Sequence, residues 1–209
     1  MAKKMGKKKR ATRKLPKPST YFIGSEGTKT EVIYFGEFAK KINQKYSGYE
    51  DTVVTPTFTI EGIGTSNFRL VSDIEEYLRL DPRIYENVWA VFDLDDVPLD
   101  YFDNSIKSAK AKGYHVAWTN DSIELWYLLH MEFLQSAIDR KQYSEKLTAY
   151  MKKAGLEKYK KMILEYLRFF IQKRKLLLKM QLDWKRYMER GFLVLKGILG
   201  HLCITWCRN

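Results

Sequence analysis

The sequence predicts an α/β domain built on a largely parallel sheet. Short apolar runs alternate with segments whose apolar residues recur at helical spacing, the pattern of successive strand–helix units. One run, Val88-Trp89-Ala90-Val91-Phe92, is apolar without interruption, which suits a central strand covered on both faces. With 209 residues, 45% of them hydrophobic, the chain is long and apolar enough for one compact core, which excludes wholesale disorder.

The elements follow in order. Tyr21-Phe22-Ile23-Gly24 reads as a short buried strand that runs into the polar turn Ser25-Glu26-Gly27-Thr28. Thr28 or Thr30 can cap a helix over 30–44, where Val32, Ile33, Phe35, Phe38 and Ile42 fall at near-helical spacing. Thr52 to Ile60 alternates and is rich in Thr, Val and Phe, so it reads as a strand broken by Gly62 and Gly64. A helix over 67–80 carries Leu70, Ile74 and Leu78 on one stripe and ends at Asp81-Pro82. The 88–92 strand stops at Asp93-Leu94-Asp95-Asp96. A helix over 100–111 closes at Gly113, and Tyr114 to Trp118 is the last apolar strand. The capping cluster Thr119-Asn120-Asp121-Ser122 precedes a patterned helix holding Ile123, Trp126, Tyr127, Leu129, His130, Phe133 and Leu134. From 142 onward only helical signals remain, and no internal repeat is visible.

Charge divides the chain further. Net charge is +12, but residues 1–18 hold nine Lys or Arg and no acid, and residues 158–209 carry a net +10, which leaves −7 for residues 19–157. This sets out three parts: a basic, disordered tail (1–18), an α/β domain (19–157) and a basic helical extension (158–209). Basic ends suit contact with the phosphates of a nucleic acid, and an acidic middle suits carboxylates that hold cations. The plain alternative for the tail is a solvated, solubilising segment. No apolar run reaches the roughly 18 residues of a membrane helix. The basic start has no following apolar stretch, so it does not read as a secretory signal. Cys203 and Cys207 form no disulfide framework, and a reducing, cytoplasmic setting is expected. With His201 they lack the spacing of a zinc finger or ribbon. No phosphate-binding Gly-rich sequence of the Walker A type is present, so any ATP hydrolysis belongs to a partner.

Ligands of open α/β sheets bind beyond the carboxyl ends of the strands. Glu26 follows the first strand. Asp93, Asp95 and Asp96 follow the 88–92 strand, and Asn120 and Asp121 follow the 114–118 strand, with Glu124 one helical turn further on. If these strands are parallel neighbours, all these groups share one rim. Asp93 and Asp95, one residue apart in extended chain, point the same way and repel unless a cation lies between them. Mg2+ (or Mn2+) suits such a site, with hard oxygen ligands, few of them from protein, and water and phosphate in the remaining positions. Each acid also has a plain reading. Asp-x-Asp after a strand is often a turn or cap, Gly27 can supply a positive φ, and Glu31 and Glu124 can complement helix N-termini.

Three blocks resemble a known family. Gly24-Ser25-Glu26-Gly27-Thr28-Lys29-Thr30-Glu31-Val32-Ile33-Tyr34-Phe35 is similar to the "EG-x-x-TE-x-x-YF" opening of RloB-like proteins. Val91-Phe92-Asp93-Leu94-Asp95-Asp96 resembles their Asp-x-Asp segment. Thr119 to His130 resembles their "SN-x-x-FE-x-W-x-LLH" motif. The blocks occur in the family's order over residues 19–135. The resemblance implies a Toprim-like (topoisomerase–primase type), Rossmann-like fold and a Mg2+-dependent nuclease, an effector of bacterial phage defence and abortive infection that works with an ABC-type ATPase partner on RNA or DNA. It implies that Glu26 is a general acid/base or metal ligand, that Asp93 and Asp95 are metal ligands with Asp96 beside them, and that Glu124 is an accessory carboxylate. Glu31 and His130 match further motif positions. The sequence departs from the family at Ser25, where cysteine is usual, and at Ile123, where an aromatic is usual. It also lacks a closing "NP-x-T-x-V" segment. The abrupt basic turn from Lys160 raises the expectation of a reading-frame shift near 159–165, against the alternative of a genuine basic helix over 160–190 that grips nucleic acid. The competing functional class is a non-catalytic, nucleic-acid-binding or regulatory subunit.

Overall fold

Alternation of apolar side chains decides the layers. The computed structural model describes residues 20–48, 55–94, 98–119, 122–132, 134, 138–160, 166–171 and 173. The basic tail, Asp95, Asp96, Asn120, Asp121 and the chain beyond 173, including His201, Cys203 and Cys207, lie outside them. Four strands, β1 (Thr20–Ser25), β2 (Thr57–Gly62), β3 (Asn87–Asp93) and β4 (His115–Thr119), form one all-parallel sheet in the order β2-β1-β3-β4. Phe22, Ala90, Phe92 and Val116 point to one face. Ile23, Trp89, Val91 and Ala117 point to the other. Successive residues of a strand face opposite ways, so the apolar runs of β1, β3 and β4 serve two cores at once.

Helices cover both faces. α2 (Asn67–Leu80) and α3 (Leu99–Ala111) bring Leu70, Val71, Ile74, Phe102 and Ala109 to the Phe22 face. α1 (Thr30–Asn43), α4 (Ile123–Leu129) and α5 (Arg140–Lys153) bring Tyr34, Phe35, Tyr127, Leu128, Leu147 and Met151 to the Ile23 face. This is a Rossmann-like α/β fold, as the alternation of elements predicts. Gly113 adopts φ +78° and ends α3 as expected, with the N–H of Tyr114 turned back to the Ala109 carbonyl at 2.9 Å. Among the described residues no helix is long and apolar enough to cross a membrane.

The boundaries differ from the sequence reading in three places. β2 begins at Thr57, where its pairing with Thr20 begins, and Gly62 ends the strand from inside it. α1 is preceded by Lys29, not by a capping threonine, and Thr30 is its first residue. α4 stops at Leu129, because His130 Nδ1 bonds the Trp126 carbonyl at 2.8 Å. The backbone N–H of His130 turns instead to Tyr127, three residues back, at 3.1 Å. A side chain that takes the i−4 carbonyl competes with the helix for it.

Tyr159, Tyr166, Leu167, Phe170 and Ile171 are buried in the same core as α1 and α4, and Phe170 stacks on Tyr127 with ring centroids 4.8 Å apart. Arg168 adds a polar tie, its Nε donating to the buried Glu37 of α1 at 2.9 Å while Lys40 holds the other carboxylate oxygen at 2.7 Å. These two cations hold the Glu37 carboxyl below the usual carboxylate range against the opposing effect of burial, with Lys40 the larger influence.

Candidate functional site

The strand order reverses between β1 and β3. The chain runs from β1 out to β2 on one side and returns to β3 on the other. The first crossover, α1, lies on one face of the sheet and the second, α2, on the opposite face. A crevice at the carboxyl ends of β1 and β3 is the general consequence of such a reversal.

Glu26 and Asp93 stand at this crevice. The Glu26 N–H donates to the Val91 carbonyl at 3.1 Å, carrying the β1–β3 ladder one residue past Ser25. The Asp93 N–H donates to Oε2 of Glu26 at 3.4 Å, joining acids 67 residues apart. From the other side Thr119, the register partner of Asp93 on β4, donates its hydroxyl to Oδ1 of Asp93 at 2.5 Å. Both acids are half-buried, so each reaches water while its orientation is fixed by neighbours.

The loop that carries Glu26 is fastened twice. Ser25 is fully buried and donates its hydroxyl to the Gly27 carbonyl at 2.8 Å, while its own carbonyl accepts from Ile63 N–H at 2.8 Å. A hydroxyl is a stronger donor than a thiol, so serine suits this position well. Gly62 lies against the same loop, and a Cβ there would run into the Thr28 backbone and lie 2.7 Å from the Gly27 carbonyl. Backbone on both sides leaves little room to yield. Gly62→Ala is therefore expected to cost about 1–3 kcal/mol in a urea titration, the range for overpacked sites. An unchanged midpoint would show that the loop yields freely.

Glu31 and Glu124 sit behind the rim, 7% and 3% exposed. Glu31, in the first turn of α1, folds its carboxylate into the space that a side chain on Gly27 would need. Gly27 has no positive φ; what it contributes is the missing Cβ. Glu124, in the first turn of α4, accepts from the Tyr159 hydroxyl at 3.4 Å. Burial, reinforced by the negative fields of Glu124 and Glu31, pushes the Tyr159 phenol far above its ordinary range. Burial also pushes Tyr127 well up, with Tyr159, Tyr34 and both carboxylates adding to it. The Tyr127 hydroxyl is buried with no hydrogen-bond partner among the described residues. Tyr127→Phe is accordingly expected to leave stability unchanged or raise it by up to about 1 kcal/mol, read from the urea midpoint. A clear loss would mean that the hydroxyl has work in the folded protein.

His130 is placed elsewhere. It lies six residues from Glu124 along α4, about 9 Å at the usual helical rise. It is 1% exposed and engaged with Tyr34 and Trp126. Burial lowers its pKa to about 4, with the Trp126 carbonyl opposing. A neutral imidazole in a closed network fits a structural tie between α1 and α4. Trp126 and Tyr127 are likewise core residues, as their place on the helical stripe predicts.

Sequence reasoning passed over two partners of the site. Thr119 stood in a cluster read only as caps, although its position opposite Asp93 follows once β3 and β4 are paired. Tyr159 sat where the charge turns basic, and nothing local marks it as the partner of an acid 35 residues earlier.

A family model described as RloB-like protein matches residues 21–182. No curated protein and no solved structure matches the chain.

Proposed function

Because the chain belongs to the RloB-like family, we propose that it is a Toprim-like, divalent-metal-dependent nuclease that cleaves phosphodiester bonds of RNA or DNA. The observation that carries this reading is the meeting of Glu26 and Asp93 at the switch point of the sheet, each oriented by hydrogen bonds from the neighbouring strand. Two carboxylates at the ends of neighbouring strands repel unless a cation offsets their charge. Hard oxygen donors in small number fit Mg2+ or Mn2+, so the residues present suit the ion. Glu26, Asp93 and Asp95 would hold it, with Asp96 adjacent and Glu124 as an accessory carboxylate; Asp95 and Asp96 lie outside the described residues.

Bound divalent ions would supply charge neutralisation at the phosphodiester during its cleavage. The chain's own residues supply position and proton transfer. Thr119 and the β3–β4 ladder hold Asp93. The Asp93 amide steadies Glu26, which is half-buried and able to accept a proton from an attacking water and return it to the leaving oxygen. The setting proposed is cytoplasmic phage defence, with an ABC-type ATPase partner that senses infection.

A second reading rests on the charge pattern. Residues 1–18 hold nine Lys or Arg and residues 158–209 carry a net +10, which suits a non-catalytic subunit that binds nucleic acid and docks on the ATPase. The test is to incubate the purified chain, alone and with its ATPase partner, with tRNA, other RNA and DNA under Mg2+ or Mn2+. Cleavage that EDTA abolishes is the expected result. Binding without cleavage under every condition would replace the nuclease with the regulatory subunit.

A further inference from the structure

We propose that the groove between the root of α4 and the outer face of α5 binds the sugar–phosphate backbone of a nucleic-acid strand and leads it toward the rim that holds Glu26 and Asp93. The groove encloses about 580 Å3. Arg140 and Lys141 at the start of α5 and Lys158 beyond its end supply three cations. Ser122 and Ser144 supply hydroxyls, while Thr148 gives its own to the Ser144 carbonyl at 2.7 Å. Glu124 closes the groove at its α4 end, and α4 leaves the sheet just after β4, whose last residue holds Asp93.

The chemistry of this lining selects the ligand. Small-molecule sites are mostly apolar and aromatic with a few polar groups. Every described residue that lines this groove carries a polar or charged group on an aliphatic stem, and none of them is aromatic. Cations interleaved with hydroxyls are the usual donors to phosphate oxygens. The α5 residues recur turn after turn, with Ser144 and Thr148 at successive four-residue steps from Arg140, so they present one continuous edge. Among the described residues of the lining, Glu145 and Glu124 are the acids, against three cations.

The placement of the cations is itself informative. Arg140 and Lys141 occupy the first turn of α5, where the helix dipole is positive, and no acid accompanies them inside that turn. Cations at that end cost helix stability, a few tenths of a kcal/mol to about 1 each. The Asp139–Gln142 capping box secures the helix start regardless. Arg140 and Lys141 thus stand at the groove against the helix's own dipole, on the same lining as Ser122 and Ser144.

The proposal deepens the nuclease reading and rests on it for what happens at the Glu124 end, but its test does not require cleavage. Fluorescence anisotropy would follow the full-length chain binding labelled single-stranded RNA, single-stranded DNA and their duplexes in EDTA, across a salt series. The triple variant Arg140→Ala, Lys141→Ala, Lys158→Ala is expected to bind at least tenfold more weakly near 0.15 M salt. Its salt dependence should be shallower by about 2 in log–log slope, near 0.7 for each lost single-strand phosphate contact. A control removes equal charge from the α2–α3 side of the sheet through Arg79→Ala, Lys107→Ala and Lys110→Ala, and should change the slope little. Equal losses in both triples would mean that only net charge matters and would overturn the groove, as would unchanged binding by the first triple or no binding by the wild type. The RNA and DNA arms identify the strand preferred. Normal binding by the groove triple alongside Mg2+-dependent cleavage by the wild type removes the groove and keeps the nuclease. Lost binding alongside a wild type that never cleaves keeps the groove and removes the nuclease.

Discussion

Asp93→Ala is expected to lower metal-dependent cleavage by about 10³-fold or more while leaving the fold intact. The structural cost is small, because Asp93 is half-buried at the end of β3 and the hydrogen bond its side chain accepts from Thr119 is an ordinary one. Such a bond contributes about 1 kcal/mol. The chemical cost is large, because metal-ion stabilisation of a phosphoryl transition state amounts to several kcal/mol, and each 1.36 kcal/mol is a factor of ten in rate. Asp93→Asn keeps the shape and the acceptor for Thr119 but loses the charge, so it should be nearly as inactive. Thr119→Val keeps the carboxylate and removes the hydroxyl that orients it, and a loss nearer tenfold is expected. Mg2+ titration by calorimetry without substrate gives a readout independent of turnover, and should show weaker binding in both Asp93 variants. Metal-dependent cleavage that survives Asp93→Ala unchanged would remove this residue from the site.

The centre of the sheet was legible because its strands are apolar on both faces, so no polar position interrupts Val88 to Phe92. The placement of Glu26 and Asp93 at one edge was legible for the same reason, since a parallel strand delivers its last residues to a known end of the sheet. The edge strand was harder. The Thr/Val alternation continues upstream of Thr57, and only pairing with β1, which begins at Thr20, tells where β2 begins. The end of α4 was hidden because Phe133 and Leu134 prolong the apolar stripe, while the stop comes from a side-chain hydrogen bond at His130 that no periodicity records. The largest miss lies beyond residue 157. Lysines dominate the average charge there, yet Tyr166, Leu167, Phe170 and Ile171 form a stripe at i, i+1, i+4 and i+5 that packs on Tyr127 and its neighbours. The core therefore continues past the predicted boundary, and the family match runs on to residue 182.

His130 should make the folded protein sensitive to acid well above the range of ordinary carboxylates. The Trp126 carbonyl can only accept, so His130 Nδ1 carries the proton and donates to it at 2.8 Å. Nε2 then accepts from the Tyr34 hydroxyl at 3.2 Å, and Tyr34 oxygen accepts from the Trp126 indole N–H at 2.8 Å. Every member is satisfied while the imidazole is neutral. A second proton would place a charge in a fully buried site, which is why burial lowers the pKa to about 4. The unfolded chain binds that proton near pH 6.5. Between these values the unfolded state holds more protons than the folded one, so stability is fully present above about pH 6.5 and declines as the pH falls toward 4. The full loss is about 3 kcal/mol at 1.36 kcal/mol per unit. Glu37 and Glu132, whose pKa values are lowered from 4.5, also lose stabilisation in acid, but only once the pH falls to that range. Urea midpoints taken from pH 7 to pH 4.5 should therefore fall before the carboxylates titrate. His130→Gln offers a donor and an acceptor that do not titrate; it should be less stable at pH 7, and its midpoint should stay nearly level down to about pH 5. The same acid slope in the variant would place the sensitivity in some other group and leave the Tyr34–Trp126–His130 network as packing alone.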